Sequence, residues 1–150
     1  MAAPAVAFHT GVADPVAFAC RLLRKAWRQG ARVIVTAPPD TLAALDTALW
    51  TFDAQEFLPH LRLPGPAGVA ARSPVWLAAP DTADALPPEL RGQAPRIRVN
   101  LGGDAPADAA ALDRLIEVVG TADAERADAR ARWRLYEQQW GVKPEHHAAG

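Results

Sequence analysis

The first fifty residues alternate between short apolar runs and amphipathic stretches. Residues 6–10 are apolar and partly β-branched, which predicts a first strand. The next run has an N-cap, Asp14, a proline at N1, Pro15, and a left-handed stop, Gly30. Between them, apolar residues recur at three- and four-residue steps, so this run is predicted to be a helix. Residues 32–36 contain Val-Ile-Val and predict a buried strand.

The middle of the chain continues this alternation. The Pro-Pro-Asp run at residues 38–40 breaks the chain, and Asp40 is expected to cap a second helix over residues 41–50. Residues 74–79 and 96–101 are predicted as the third and fourth strands. Residues 114–119 are assigned to a fifth strand, although the Leu and Ile residues of this region also suit a helix.

The remaining segments have weaker patterns. Residues 51–63 show neither helical nor strand periodicity, and residues 64–73 are predicted to be a Pro/Gly/Ala loop. Residues 81–93 are expected to form at most a helical turn, and residues 104–111 a loop or short turn. Residues 125–140 lack Gly and Pro and predict a helix.

The order of these elements predicts an α/β fold. A β-α-β-α opening requires parallel strands joined by right-handed crossovers. We therefore expect one α/β domain over residues 1–142, with a mostly parallel sheet of about five strands flanked by helices. Residues 143–150 are expected to form a flexible tail. A length of 150 residues suits one domain.

Composition narrows the function classes. A net charge of −1 disfavours nucleic-acid binding by bulk positive charge. The single cysteine, Cys20, excludes an intrachain disulfide and a multi-cysteine zinc site. No apolar run approaches the ~20 residues that span a bilayer, and the first residues lack the features of a signal peptide. We expect a cytoplasmic protein.

Residues for nucleotide or catalytic chemistry are sparse. The first strand–helix turn has a single glycine and ends at Asp14, an acid that would repel phosphate, so neither a phosphate loop nor a cofactor is expected. Cys20 is expected to be a buried structural thiol. His9 ends a strand without an acid or nucleophile at a diagnostic spacing. His146 and His147 lie in the predicted tail, where only adventitious metal binding is expected.

The helix at residues 125–140 combines positive charge with aromatic rings. Arg126, Arg130 and Arg134 are four residues apart and form one row. Beside this row lies a mostly aromatic line, formed by Ala129, Trp133, Tyr136 and Trp140. Such a surface could receive a group that is both anionic and apolar. Alternatively, the aromatic residues dock the helix on the core and the arginines face water.

A second cluster of large apolar residues lies in the irregular segment. Trp50 ends the second helix, and Phe57, Leu58 and Pro59 follow in a loop. Because loops run over the surface, some of this apolar area could be exposed and mark a partner site. The alternative is a satellite cluster that closes one edge of the sheet.

Several of these segments resemble one family. Ala48-Leu49-Trp50 followed by Glu56 to His60, an early helix with Trp27 near its end, and the run from Ala129 to Tyr136 resemble the chi subunits of bacterial DNA polymerase III holoenzyme. The resemblance covers roughly residues 8–142. It implies a non-catalytic accessory protein of the clamp-loader complex. Its implied fold is like that of nucleotide-binding domains but without the phosphate loop.

The resemblance also implies two partners. One is the psi subunit of the clamp loader, whose surface falls on Trp50 and Phe57, with Pro59 and His60 adjacent. The other is the acidic C-terminal tail of single-stranded-DNA-binding protein (SSB), which ends in Pro-Phe.

The implied tail pocket consists of Arg126, Arg130, Trp133 and Arg134. In the family the position of Trp133 is often tyrosine and that of Arg134 often lysine, so an aromatic wall and a cation are kept. Tyr136 is assigned to packing. Two rival functions are a small α/β enzyme that binds a nucleotide or phosphorylated metabolite, and direct nucleic-acid binding by the basic helix.

Overall fold

A fully parallel sheet forms the centre of the protein. The structure is a computed structural model that describes residues 3–52 and 55–149. The seven strands lie in the order β3-β4-β2-β5-β6-β1-β7, and all neighbouring pairs are parallel. The strands are β1 (Ala5–Thr10), β2 (Val33–Thr36), β3 (His60–Arg62), β4 (Val75–Ala78), β5 (Ile97–Asn100), β6 (Arg114–Val118) and β7 (Glu145–Ala148). The predicted α/β class is confirmed.

Helices cover both faces of this sheet. They are α1 (Pro15–Arg28), α2 (Pro39–Thr51), α3 (Ala67–Arg72), α4 (Pro80–Asp84), α5 (Pro88–Arg91) and α6 (Asp123–Trp140). The apolar residues of α1 and α2 pack with Val33, Val35 and Leu77 on one face. On the other face, α3 and α5 pack against Trp76 and α6 packs against Phe8. Side chains alternate along each strand, so both faces of the sheet are buried.

The start of α1 agrees with the sequence prediction, whereas the start of α2 does not. The Asp14 carboxylate accepts a hydrogen bond from the Ala17 N–H at 3.1 Å, and Pro15 occupies the first turn. Asp40 was expected to cap α2, but it lies within the first turn, and the N-cap residue is Pro38. The fixed φ of two successive prolines is enough to start this helix.

The sheet has seven strands, not five. The two that the sequence did not predict are its edge strands, β3 and β7. β3 has only three residues and falls in the segment without periodicity. β7 falls in the predicted flexible tail and has four exposed residues, so the prediction of a frayed tail is wrong for these residues. An edge strand is held by backbone hydrogen bonds and does not need an apolar face.

Three short helices also differ from prediction. The predicted loop over residues 64–73 contains α3, and the segment predicted to hold at most one turn contains both α4 and α5. The indole N–H of Trp76 donates to the carbonyl oxygens of Ala70 at 2.8 Å and Ser73 at 3.1 Å. This buried ring therefore anchors the end of α3. The ambiguous region near residue 116 is the strand β6, as predicted.

A buried polar network fixes α6 on the sheet. Glu117 of β6 is fully buried, and its carboxylate accepts hydrogen bonds from the Tyr136 hydroxyl at 2.5 Å and from the Asn100 amide at 3.2 Å. The Arg132 guanidinium donates to both carboxylate oxygens at 3.1–3.2 Å. Burial and the neighbouring Glu117 charge raise the pKa of Tyr136 far above its usual range. The hydroxyl therefore remains a donor, and the packing role predicted for Tyr136 is confirmed.

Candidate functional site

A groove beside α6 contains all four residues of the predicted tail pocket. Arg126, Arg130, Trp133 and Arg134 line it together, and its volume is about 480 Å³. Arg126, Arg130 and Arg134 lie four positions apart on this 18-residue helix and Trp133 lies three positions after Arg130, so the four residues share one side of it. The Glu117 network holds this side of α6 at a fixed rotation over the sheet.

Strands β1 and β7 form the floor and far wall of the groove. Phe8 packs against Trp133 with ring centroids 4.9 Å apart. His146 of β7 lies edge-on to Trp133 at 6.3 Å, and its Nε2 atom is 2.7 Å from the Thr10 hydroxyl. The groove therefore has an aromatic interior and a cationic rim.

The cations of this rim differ in their partners. Arg126 pairs with the exposed Asp123 at 2.5 Å. Within residues 3–52 and 55–149, neither Arg130 nor Arg134 forms an ion pair with a side chain. Exposed guanidinium groups beside apolar rings can bind a carboxylate through charge-assisted hydrogen bonds while the rings receive an apolar group.

A second candidate surface lies at the end of α2. Trp50 and Phe57 are 61% and 55% exposed, and their ring centroids are 5.2 Å apart. The His60 ring lies edge-on to Trp50 at 5.0 Å, and its side chain is buried. Its Nε2 atom bonds to Asp46 at 3.0 Å, so His60 supports the two exposed rings from below. We call Trp50, Phe57 and His60 the apolar patch.

Pro59 is the fourth residue of the predicted psi surface. It lines a separate groove of about 390 Å³ together with Trp27 and Arg72. Leu58 is buried in the main core. Both interpretations of this segment therefore hold in part, because Leu58 closes the core while Trp50 and Phe57 remain exposed.

Comparison with known proteins identifies the family. Residues 4–145 match the family described as DNA polymerase III chi subunit, HolC. The chain belongs to the DNA polymerase III chi subunit family. This confirms the resemblance found in the sequence, and it places the protein in DNA replication.

Individual chi subunits show the same relationship. The chain is 34% identical to DNA polymerase III subunit chi of Pseudomonas aeruginosa over 131 residues, which cover 85% of this chain and 84% of the relative. It is 29% identical to DNA polymerase III subunit chi of Escherichia coli, over 78% of this chain and 74% of the relative. The C-terminal domain of the DEAD-box protein Dbp5 has a similar fold, with a TM-score of 0.60 and 12% identity over 97% of this chain and 91% of that one.

The chi family match includes the apolar patch and the groove residues up to α6, but it ends before His146. His146 and Thr10 are the polar groove residues that sequence reasoning missed. His146 was assigned to a tail, and nothing in the local sequence indicates that β7 returns beside β1. Thr10 lies two residues after Phe8 on the same strand, so the two side chains point to the same face of the sheet. This spacing is the one local signal that Thr10 belongs to the groove.

Cys20 and His9, which the sequence analysis considered for catalysis in this chi-family chain, both have shifted pKa values. Cys20 is buried as predicted, and burial and the Asp14 charge raise the pKa of its thiol. Burial lowers the pKa of His9, as do His147 and Arg114.

The described residues contain neither a metal-binding cluster nor a membrane-spanning helix. Over residues 3–52 and 55–149, no three His, Cys, Asp or Glu side chains group closely enough to hold a metal ion. In the same part of the chain, no helix has both the length and the apolar character needed to cross a membrane.

Proposed function

We propose that this chain is a non-catalytic accessory subunit that links the clamp-loader complex to SSB. In this proposal the groove beside α6 binds the acidic C-terminal tail of SSB, and the apolar patch binds a psi subunit. The proposal rests on one observation. A single groove is lined by Arg126, Arg130, Arg134 and Trp133. Neither role requires a chemical step. We propose that both are carried out in the cytoplasm, where bacterial DNA is replicated.

The groove suits the chemistry of such a tail. A peptide ending in Pro-Phe offers a terminal carboxylate, nearby Asp side chains and one apolar ring. The exposed guanidinium groups of Arg130 and Arg134 can bind the carboxylates, and the ring can pack against Trp133 and Phe8. So small a contact should bind at about micromolar strength and weaken with salt. Many tails on one coated strand would raise the effective strength.

The positions of the two surfaces suit a bridging protein. The groove lies beside β1 and β7, and the apolar patch lies beside β3, at the opposite edge of the sheet. The patch is built on α2 and the groove on α6, and these helices pack on opposite faces. Binding at one surface therefore leaves the other surface accessible.

Titration of a labelled acidic peptide ending in Pro-Phe tests the groove. We expect micromolar binding to the wild type and about tenfold weaker binding to Arg130→Ala, because a charge-assisted hydrogen bond is lost. Fluorescence anisotropy measures both. The matched control is Arg21→Ala, which removes an exposed arginine from α1 and should bind like the wild type.

Two outcomes would oppose the groove proposal. One is wild-type protein that does not bind the peptide. The other is binding to a labelled single-stranded oligonucleotide that is stronger than binding to the peptide, with a steep salt dependence, since this would favour direct nucleic-acid binding by α6.

The apolar patch gives a second prediction. Trp50→Ala should weaken binding of a psi subunit from the same organism more than tenfold, because exposed tryptophans at interfaces often dominate the binding energy. Isothermal titration calorimetry measures the affinity. Val69→Ala, which shortens another exposed apolar side chain, should bind normally. The thermal midpoint of both variants should stay close to that of the wild type, and unchanged binding by Trp50→Ala would contradict the role of the patch.

A further inference from the structure

We propose that His146 is an additional ligand-binding residue of the groove and that its protonation strengthens the binding of acidic peptides. This inference rests on the proposed function of the groove. His146 lies one residue beyond the part of the chain that matches the chi family. His146 lies beside the groove because β7 pairs with β1, and the local sequence does not predict this edge strand.

The geometry places an ionisable ring at the wall of the groove. His146 pairs with Phe8 in the register between β7 and β1 and lines the groove with it. The Thr10 hydroxyl lies 2.7 Å from Nε2. In the described part of the chain, no protein group bonds to the other ring nitrogen, Nδ1. The protonated ring can donate to Thr10 through Nε2 and still offer Nδ1–H to a ligand carboxylate.

The charges around His146 make this protonation depend on the ligand. From α6, Arg126, Arg130 and Arg134 line the same groove. Thr10 of β1 and Val119, which follows β6, are the other groove neighbours, and both are uncharged. On β7, Glu145 and His147 project to the opposite face. Carboxylates of a ligand bound in the groove would favour a positive charge on the His146 ring.

The sign of the pH effect follows from proton uptake. If an anionic ligand favours the protonated form of His146, binding takes up a proton. Affinity must then rise as the pH falls. Peptide carboxylates remain ionised between about pH 6 and 8, so the ligand contributes no titration in this range.

The other three histidines are placed where they should not contribute. His9 and His147 stack at 4.9 Å on the face of the sheet away from the groove. Burial, His147 and Arg114 lower the pKa of His9, so a lower pH charges it less readily than an ordinary histidine. His60 lies in the apolar patch at the other edge of the sheet, bonded to Asp46.

The test compares peptide affinity at pH 6 and pH 8 at constant ionic strength. We expect the wild type to bind the labelled acidic peptide about two- to fivefold more tightly at pH 6, the range of a solvent-accessible ion pair. His146→Gln should show equal affinity at both values. His147→Gln, a substitution of the neighbouring residue on the opposite face, should keep the wild-type pH dependence. Calorimetry in buffers of different ionisation enthalpy should detect proton uptake by the wild type and by His147→Gln only.

The outcomes separate this inference from the proposed function. Peptide binding with the same affinity at both pH values would overturn the role of His146 and leave the groove as the binding site. A pH dependence that persists in His146→Gln would do the same. Weaker binding at pH 6 would also overturn it, since it would mean that protonation releases β7 from β1. No binding at either pH would overturn the proposed function itself.

Discussion

Replacing Glu117 by alanine is expected to lower the free energy of unfolding by about 3–5 kcal/mol, the cost of breaking a buried ion pair. The Glu117 carboxylate is fully buried and binds Asn100, Arg132 and Tyr136. Its loss would leave the guanidinium and the hydroxyl without their acceptor beneath α6. Urea denaturation followed by circular dichroism measures the change.

Two variants make the Glu117 prediction specific. Glu117→Gln keeps an oxygen acceptor for Tyr136 but removes the charge facing Arg132, so its loss of stability should be intermediate. Glu137→Ala removes an exposed acid from α6 and should change stability by less than about 0.5 kcal/mol. If Glu117→Ala were as stable as Glu137→Ala, the network would not be what holds α6 on the sheet.

Replacing Trp133 by alanine is expected to weaken binding of the acidic peptide by more than tenfold. The Trp133 ring packs on Phe8 at 4.9 Å, lies edge-on to His146 and lines the groove with them. Truncating such a ring removes the surface on which the ligand's phenylalanine would pack, and aromatic anchors of this kind dominate peptide interfaces. Fluorescence anisotropy against the wild type measures the loss.

The matched variant for this prediction is Trp133→Tyr. Tyrosine keeps an aromatic face and should retain binding within about fivefold of the wild type, because the stacking area is only partly reduced. Trp140→Ala is a second control, since this ring stacks on Tyr136 and does not line the groove. Equal weakening by Trp140→Ala and Trp133→Ala would indicate a general disturbance of α6 and not loss of the wall.

The sequence predicted those elements of the fold that have a strong local pattern of apolar or capping residues. The apolar runs of β2 and β4 and the cap of α1 are strong signals, because burial and capping act on neighbouring residues. The edge strand β7 has no such signal. It carries two histidines and a glutamate and is held by its pairing with β1. The helix α3 likewise lies in a segment rich in helix breakers, where packing of Trp76 decides the outcome.

The groove could be predicted only from its α6 side. Four-residue spacing places Arg126, Arg130 and Arg134 in one row wherever the helix packs. The opposite wall depends on strand order, which brings residues from both ends of the sequence together and leaves no local trace. At the other edge of the sheet, Pro59 and Trp27 line one groove although they are far apart in sequence, and no local pattern predicts this.

The place of β1 between β6 and β7 also affects how the chain is made. Among the described residues, the strands that pair with β1 are β6 and β7, which come much later in the sequence. Until those strands have been synthesised, the apolar side chains of Val6 and Phe8 lack both neighbouring strands. Sheets with such distant pairings fold slowly and expose aggregation-prone segments. We expect the nascent chain to bind a chaperone through β1 until β6 and β7 have been synthesised.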